Sequence, residues 1–226
     1  MGSGTHPSWN VVQRLRLTAE SLDTTIEEVH AILRERGRDA CSWEIGNSAT
    51  PADLVERLCA RGLVDDDDPD VIGMLLTQPP PLAPVGIEAR QVRDFGEFAA
   101  ASRVANVAFG MPADAGDEAG ERSRYDEGVE LGYWKTFVAV LDGEIVASAN
   151  STYLDGAVTL NGGAVLPEAR GRGAYRALVS ARWEDAVARG TPALVTQAGC
   201  MSAPILERLG FREVARIKIL LDRLGP

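Results

Sequence analysis

Residues 161–176 read Asn-Gly-Gly-Ala-Val-Leu-Pro-Glu-Ala-Arg-Gly-Arg-Gly-Ala-Tyr-Arg. An apolar run ending at Pro167 has strand character, a turn rich in Gly and Arg follows, and a helix-forming segment comes next. Such a junction aims several backbone N–H groups and the positive end of a helix at one place, an arrangement that suits an anion. Gly171 and Gly173 lack a Cβ and let a ligand approach the backbone closely. Arg170, Arg172 and Arg176 add planar donors matched to phosphate. The stretch predicts a pyrophosphate site, with an ordinary basic turn before a surface helix as the plain alternative. Two other phosphate loops are excluded by inspection. One needs Gly-Lys followed by Ser or Thr, and the only lysines are Lys135 and Lys218; the other needs a third glycine where Arg176 stands.

Working outward, Asp142-Gly143 separates Phe137–Leu141 from Glu144–Ser148, and Asp155-Gly156 separates Ser151–Leu154 from Ala157–Leu160. Asp-Gly between apolar runs is a strong hairpin signal, so three antiparallel strands lead into the turn. A helix is predicted from about Gly173 to Arg189. Tyr175, Val179, Trp183 and Val187 form one apolar row, and Ala174, Leu178 and Ala181 an adjacent one, with Gly190 as the stop. Residues 192–197 read as a short strand parallel to the one before the helix, joined by a right-handed crossover. Residues 202–211 read as a short helix closing on Leu209-Gly210-Phe211, and Val214 to Leu221 as a last strand.

With these residues in view, Arg170-x-x-Gly173 resembles the acyl-CoA-binding segment of the GNAT (Gcn5-related N-acetyltransferase) family, whose pattern is Arg/Gln-x-x-Gly-x-Gly/Ala. Tyr175 departs from it, standing where a small residue is usual. Leu209-Gly210-Phe211 resembles the family's second hallmark, in the family's order and separation. The resemblance covers about Gly86 to Leu224. It implies an α/β (α+β) GNAT fold: a mixed, mostly antiparallel sheet with a splayed parallel pair and flanking helices. It also implies acetyl-CoA as co-substrate without a metal ion, and direct transfer of acetyl to a primary amine of a small molecule or peptide. The rival from another class is a CoA-binding sensor or partner-binding module without catalysis.

By the same resemblance, backbone groups of Ala164, Val165 and Leu166 bond the pantetheine arm, and Arg170, Gly171, Arg172, Gly173, Ala174 and Tyr175 hold the pyrophosphate. The N–H of Val165 is the candidate oxyanion donor. Many family members carry a tyrosine where this chain has Leu206, and leucine has no proton to give. Ser202 and Cys200 lie just upstream. Ser202 reads as a proton donor or as a helix cap, and Cys200 as a small buried residue or a site group. A strand glutamate that serves as base in relatives is absent. By strand alternation Thr159, Asn161 and Gly163 share the face of Val165, and Asn161 is the candidate to orient a water; a bulge at Asn161-Gly162 is the opposing reading. Glu130 and Tyr153 are read as surface and packing residues. Met111–Arg124 is read as the acceptor loop.

The whole chain has 226 residues and a net charge of −10. Pro79–Pro84 marks a stiff linker, giving residues 1–78, a linker at 79–85, and a domain at 86–226. Residues 1–85 carry −7 and the rest −3, which disfavours a nucleic-acid partner and mildly favours a cationic acceptor. No apolar run suits a membrane span, no signal peptide is evident, and three cysteines without CxxC spacing fit a cytoplasmic protein without zinc. His6 and His30 are too few for a metal cluster, and Asp65–Asp68 reads as a solvated turn. In the front segment, Thr24-x-x-Glu27 reads as a capping box opening a helix to about Glu35, and residues 52–60 as a second helix. Trp43-x-Ile-Gly followed by Thr50-Pro-Ala-Asp-Leu resembles the amino-terminal part of bacterial two-lobed GNAT proteins. That implies a reduced, degenerate half of the same fold, a cover for the acceptor pocket or a homodimer contact, without CoA of its own.

Overall fold

The computed structural model describes Pro7, residues 10–66 and residues 71–225; His6 and, of the acidic run, Asp67 and Asp68 lie outside the described residues. In order the chain forms β1 (Val11–Val12), α1 (Leu22–Glu35), β2 (Ala40–Gly46), α2 (Leu54–Cys59), β3 (Val64–Asp65), β4 (Val71–Leu76), β5 (Ile87–Gln91), α3 (Phe95–Ala108), α4 (Glu118–Leu131), β6 (Trp134–Leu141), β7 (Glu144–Leu154), β8 (Ala157–Val165), α5 (Ala174–Ala188), β9 (Leu194–Ala198), α6 (Ala203–Arg208) and β10 (Arg212–Arg223). Two compact units result, neither continuous in sequence. The first takes the chain up to Gly73, Ala198–Ala203 and the stretch from Glu213 on; the second takes Met74–Gln197 and Pro204–Arg212.

In the first unit β1 runs parallel to β2, and β10 pairs antiparallel with β2 from Ile217↔Gly46 to Arg223↔Ala40. Leu22, Ile26, Val29 and Leu33 of α1 pack with Trp43, Leu54, Leu58 and Leu220, as a 3.6-residue period dictates. The helix begins two residues before Thr24, so Thr24-x-x-Glu27 is no capping box. Thr18 and Ser21 set the start instead: the Ser21 hydroxyl accepts from the Thr18 N–H (3.0 Å) and the Thr18 hydroxyl from the Ser21 N–H (3.2 Å). His30 does more than fill space. Its Nε2 lies 3.0 Å from both carboxylate oxygens of buried Asp222, which also accepts from Trp43 Nε1 at 3.1 Å, tying α1 and β2 to β10. Cys41 lies in this core, where burial chiefly, and Asp222 next, push its thiol up to about 12. Cys200 is exposed, against the expectation of a buried position.

In the second unit β5, β6, β7 and β8 are antiparallel neighbours. Both hairpin signals hold. Asp142 and Gly143 take φ of +53° and +87° between Leu141 and Glu144, whereas at Asp155-Gly156 only the glycine (+80°) is left-handed. α5 covers Phe137, Ala139, Leu141, Ala147 and Ala149 with Ala174 and Leu178. α3 packs on β7 and β8 from the opposite face, its Phe98 ring 6.0 Å from Trp134, whose side chain alternates away from Phe137. Asp94 caps α3 by accepting from the Glu97 N–H (2.9 Å), and Asp117 caps α4 through the Gly120 N–H (2.6 Å). The expected acceptor loop at Met111–Arg124 is thus helical from Glu118. α4 buries no residue; Tyr125 rests on Phe95 and Phe98 (5.8 and 5.5 Å), and Gly128 lies under the Trp134 indole.

Candidate functional site

Pro167–Ala169 make one 3₁₀ turn, Arg170 is extended, and Gly171 and Gly173 take φ of +76° and +93°. Gly173 is the N-cap of α5, and no side chain caps that end. The first N–H groups of a helix have no intrahelical partner, so they stand available to an oxyanion. The three arginines do not act as one cluster. Arg172 pairs with Asp142 at 3.2 Å, both exposed; Arg170 Nε donates to the Val165 carbonyl at a long 3.4 Å; Arg176 has a buried Nε without a partner. Arg170 is exposed, uses only Nε, and forms no ion pair with a described carboxylate, so its two terminal nitrogens stand available to a ligand at the turn.

The strand leading to this turn opens away from its neighbour. β8 and β9 are parallel over Val158↔Leu194 and Thr159↔Val195, and the Thr196 hydroxyl still reaches the Leu160 carbonyl at 2.9 Å. Beyond Leu160, β8 pairs only with β7 among the described residues. The Leu166 N–H donates to Val146 at 3.0 Å. Because successive strand residues turn their N–H and C=O to opposite sides, those of Val165 face the gap. Of Ala164, Val165 and Leu166, Val165 is therefore the residue with backbone donor and acceptor turned towards an arm lying between the strands. An open glycine at Gly171, an uncapped helix end and a strand gap together fit a pantetheine pyrophosphate.

A bulge corrects one expectation. Asn150 pairs with Asn161 and Ser148 with Ala164, so three residues of β8 span what two of β7 span, with Gly162 left-handed at +56°. The extra residue shifts the alternation. Val165 pairs with Ala147 on the α5 side, whereas Asn161, opposite Asn150, points to the α3 side. Asn161 is exposed and its Nδ2 donates to the Thr152 hydroxyl at 3.1 Å, which leaves its carbonyl oxygen as the acceptor. The Asn150 amide is fixed in turn, its Oδ1 accepting from the Thr136 hydroxyl at 2.8 Å. Ser202 belongs to the first unit, and its hydroxyl donates to the Gly199 carbonyl at 3.2 Å. Leu206 is buried hydrocarbon. Glu130 is exposed, and Tyr153 donates to Asp185 beneath the stacked Arg189 guanidinium.

Tyr175, expected at the pyrophosphate, and Arg182, which the sequence did not single out, both lie on the sheet-facing side of α5. The Tyr175 ring lies against Gly163, where a Cβ would come within 2.7 Å of ring Cε2. Arg182 is 1% exposed on the same helix, while Val187, expected inside, is 47% exposed. The signal for Arg182 was present: it falls between the two apolar rows of α5, on the inward face. The linker is also part of this region. Pro84 packs on Gly173 and the Pro81 carbonyl accepts weakly from the Ser180 hydroxyl at 3.4 Å. Three polyproline residues rise about 9 Å and seven helical residues about 10.5 Å, so the linker lies along α5 up to its N-cap.

No family model matches the sequence, and neither does any curated protein. Solved structures do. A GCN5-related N-acetyltransferase from Kribbella flavida is similar over 93% of this chain and 79% of its own, at 21% identity and a TM-score of 0.69. One from Sphaerobacter thermophilus is similar over 92% and 70%, at 20% identity and a TM-score of 0.69. A tandem GNAT protein from the clavulanic acid biosynthesis pathway is similar over 93% and 72%, at 17% identity and a TM-score of 0.66. The chain has the GNAT fold, a mixed sheet with flanking helices. No described helix is long and apolar enough to cross a membrane, and no described group of side chains is built to hold a metal ion.

Proposed function

We propose, with the GNAT fold as premise, that this chain is an acetyl-CoA-dependent N-acetyltransferase acting on a primary amine of a small molecule or peptide. One observation carries the reading. The parallel pair β8/β9 parts directly ahead of the Arg170–Gly173 turn and the uncapped N-terminus of α5, so a strand gap and an anion site lie in series. Val165 N–H, facing the gap, is the oxyanion donor, and positioning with that polarisation supplies much of the rate. Asn161, on the α3 face with its carbonyl oxygen open, orients the incoming amine or its water. Ser202 is the weaker candidate, since its hydroxyl is engaged locally. The first 78 residues are a reduced half of the same fold; the similarity of the tandem GNAT protein over nearly the whole chain supports that reading.

Thermal melting with acetyl-CoA, CoA and ATP tests this. A ligand at 100 times its Kd stabilises by ~2.7 kcal/mol, a shift of roughly 5–10 °C for a chain of this size. Shifts with acetyl-CoA and CoA but not ATP, followed by release of free thiol with an amine panel, are expected. No shift with either CoA species in a folded sample refutes the assignment, and shifts without turnover favour the sensor reading.

A further inference from the structure

Asn161, Gly162 and Gly163 are exposed in the middle of β8, between buried Leu160 and buried Ala164. α3 packs on β7 and β8 from this side, yet leaves these three residues uncovered. A Cβ on Gly162 would lie 3.4 Å from Asn150 Nδ2, so the glycine that permits the bulge at φ +56° also keeps the neighbouring amide open.

The opening is lined by uncharged groups in a fixed order. Thr136, Asn150 and Asn161 form one row across β6, β7 and β8. The buried Thr136 hydroxyl donates to Asn150 Oδ1 at 2.8 Å, and Asn161 Nδ2 donates to the Thr152 hydroxyl at 3.1 Å. Each amide is held at one end by a threonine and open at the other. Asn150 Nδ2 is left as a donor and Asn161 Oδ1 as an acceptor, neither with a partner among the described residues. A half-buried donor without a partner costs free energy, which a ligand atom that accepts from it recovers. Lys135, next to Thr136 in sequence, lies on the other face and is bound to Asp185 at 2.7 Å, so it brings no positive charge to this row.

The strand gap sets what these two groups meet. An arm fixed at the Arg170–Gly173 turn runs back past Leu166 and Val165, so its acyl end lies towards Gly163 and Asn161. An amine attacking there donates to Asn161 Oδ1. Directly opposite residues of an antiparallel pair have Cβ atoms about 4.5–5.5 Å apart. Asn150 Nδ2 therefore reaches the part of the acceptor a carbon or two beyond the amine, and as a donor it fits an oxygen there. We propose that Asn150 is a specificity-determining residue that selects amines bearing an uncharged oxygen, hydroxyl or carbonyl, on the second or third carbon from the nitrogen. This rests on the acetyltransferase reading above.

Thiol-release kinetics with 2-aminoethanol, 3-amino-1-propanol, 5-amino-1-pentanol, glycinamide and glycine, each against an alkylamine of matching length, test it in wild type, Asn150→Leu and Asn150→Asp. The quantity read is the ratio of kcat/KM, per free amine, between each compound and its alkylamine. A variant that merely folds less well lowers both members and leaves the ratio unchanged. In wild type a ratio of about five to ten is expected for the two shorter amino alcohols or for glycinamide, the worth of one hydrogen bond. Whichever of the two leads identifies hydroxyl or carbonyl as the oxygen read. For 5-amino-1-pentanol and for glycine, whose carboxylate finds no counter-charge, a ratio near one or below is expected. Asn150→Leu should bring every ratio to about one, and Asn150→Asp should shift the preference to short diamines. Wild-type ratios near one throughout, an equal gain for 5-amino-1-pentanol, or a preference that survives Asn150→Leu overturns the proposal and leaves the acetyltransferase reading in place. If no amine releases thiol, that reading falls and this one with it.

Discussion

Substituting Gly173 by alanine separates two costs that meet at the phosphate turn. The residue sits at φ +93°, where an L side chain costs about 1–2 kcal/mol. Its Cβ would also stand 2.3 Å from Pro84 Cγ, 3.4 Å from Cδ and 3.5 Å from Cβ. Carbon atoms rest at about 3.5–4.0 Å, so the proline ring or the helix must move by more than about 1 Å. The ring is rigid, and the linker is held by the long Ser180–Pro81 bond, so the strap lifts at a further cost of about 1 kcal/mol. Gly171→Ala is the control, because at φ +76° its Cβ meets nothing within 4 Å. The expectation is a loss of about 1–2 kcal/mol for Gly171→Ala and about 2–3 kcal/mol for Gly173→Ala, or roughly 4–12 °C in Tm for the latter. Circular-dichroism melts of both variants, of Pro84→Gly and of the Gly173→Ala/Pro84→Gly double variant close a thermodynamic cycle. The excess of Gly173→Ala over Gly171→Ala should vanish in the Pro84→Gly background. Equal losses for the two alanine variants, or an excess that survives Pro84→Gly, refute the strap.

Gly128→Ala should destabilise by about 1–3 kcal/mol, because the new Cβ would lie 2.6 Å from the Trp134 ring; an open helical position would instead gain about 1 kcal/mol, so the sign of the change in urea midpoint decides. Glu97 accepts from Arg90 and Arg93, and Arg90 chiefly holds its carboxyl at about 2. A depressed carboxylate stabilises above its unfolded pKa, so the deficit of Glu97→Gln, about 1 kcal/mol at pH 7, should shrink below about pH 4.3 and be gone near pH 2. Melts across that range check this, and a deficit that persists at pH 2 refutes the charged role. Arg170→Ala should weaken acetyl-CoA binding by about tenfold or more and flatten its salt dependence, whereas Arg172→Ala, already paired with Asp142, should change it by less than about threefold. Titration at two ionic strengths separates them, and equal losses refute the division.

The parts of the fold legible in the chain were those set by neighbours in sequence. The two Asp-Gly hairpins, the parallel strand reached through α5 and the Leu209-Gly210-Phe211 close follow from short-range turn chemistry and periodicity. The structure agrees, with Gly210 left-handed and Phe211 buried. α3 and α4 escaped notice for different reasons. α3 shows Phe98, Ala101 and Val104 at helical spacing, a readable stripe, whereas α4 buries nothing and is held by Tyr125 and a glycine under Trp134. Only packing could reveal the second.

For the candidate site the division is similar. Arg170-x-x-Gly173 announces an anion-binding helix end, because glycine placement and helix polarity are local properties. Which arginine stays free for it is not local: Arg172 is claimed by Asp142, thirty residues earlier across the sheet. Nor could strand alternation place Asn161, since one bulge residue, fixed by pairing with β7, turns every side chain before it to the other face. Tyr175 read as an intruder at a small-residue position, and Arg182 as one charge on a long helix. The tertiary structure seats the first on Gly163 and buries the second against the sheet. Period and turn chemistry act over a few residues and can be read directly, whereas the pairing of distant strands decides which groups lose water together, and with that their chemistry.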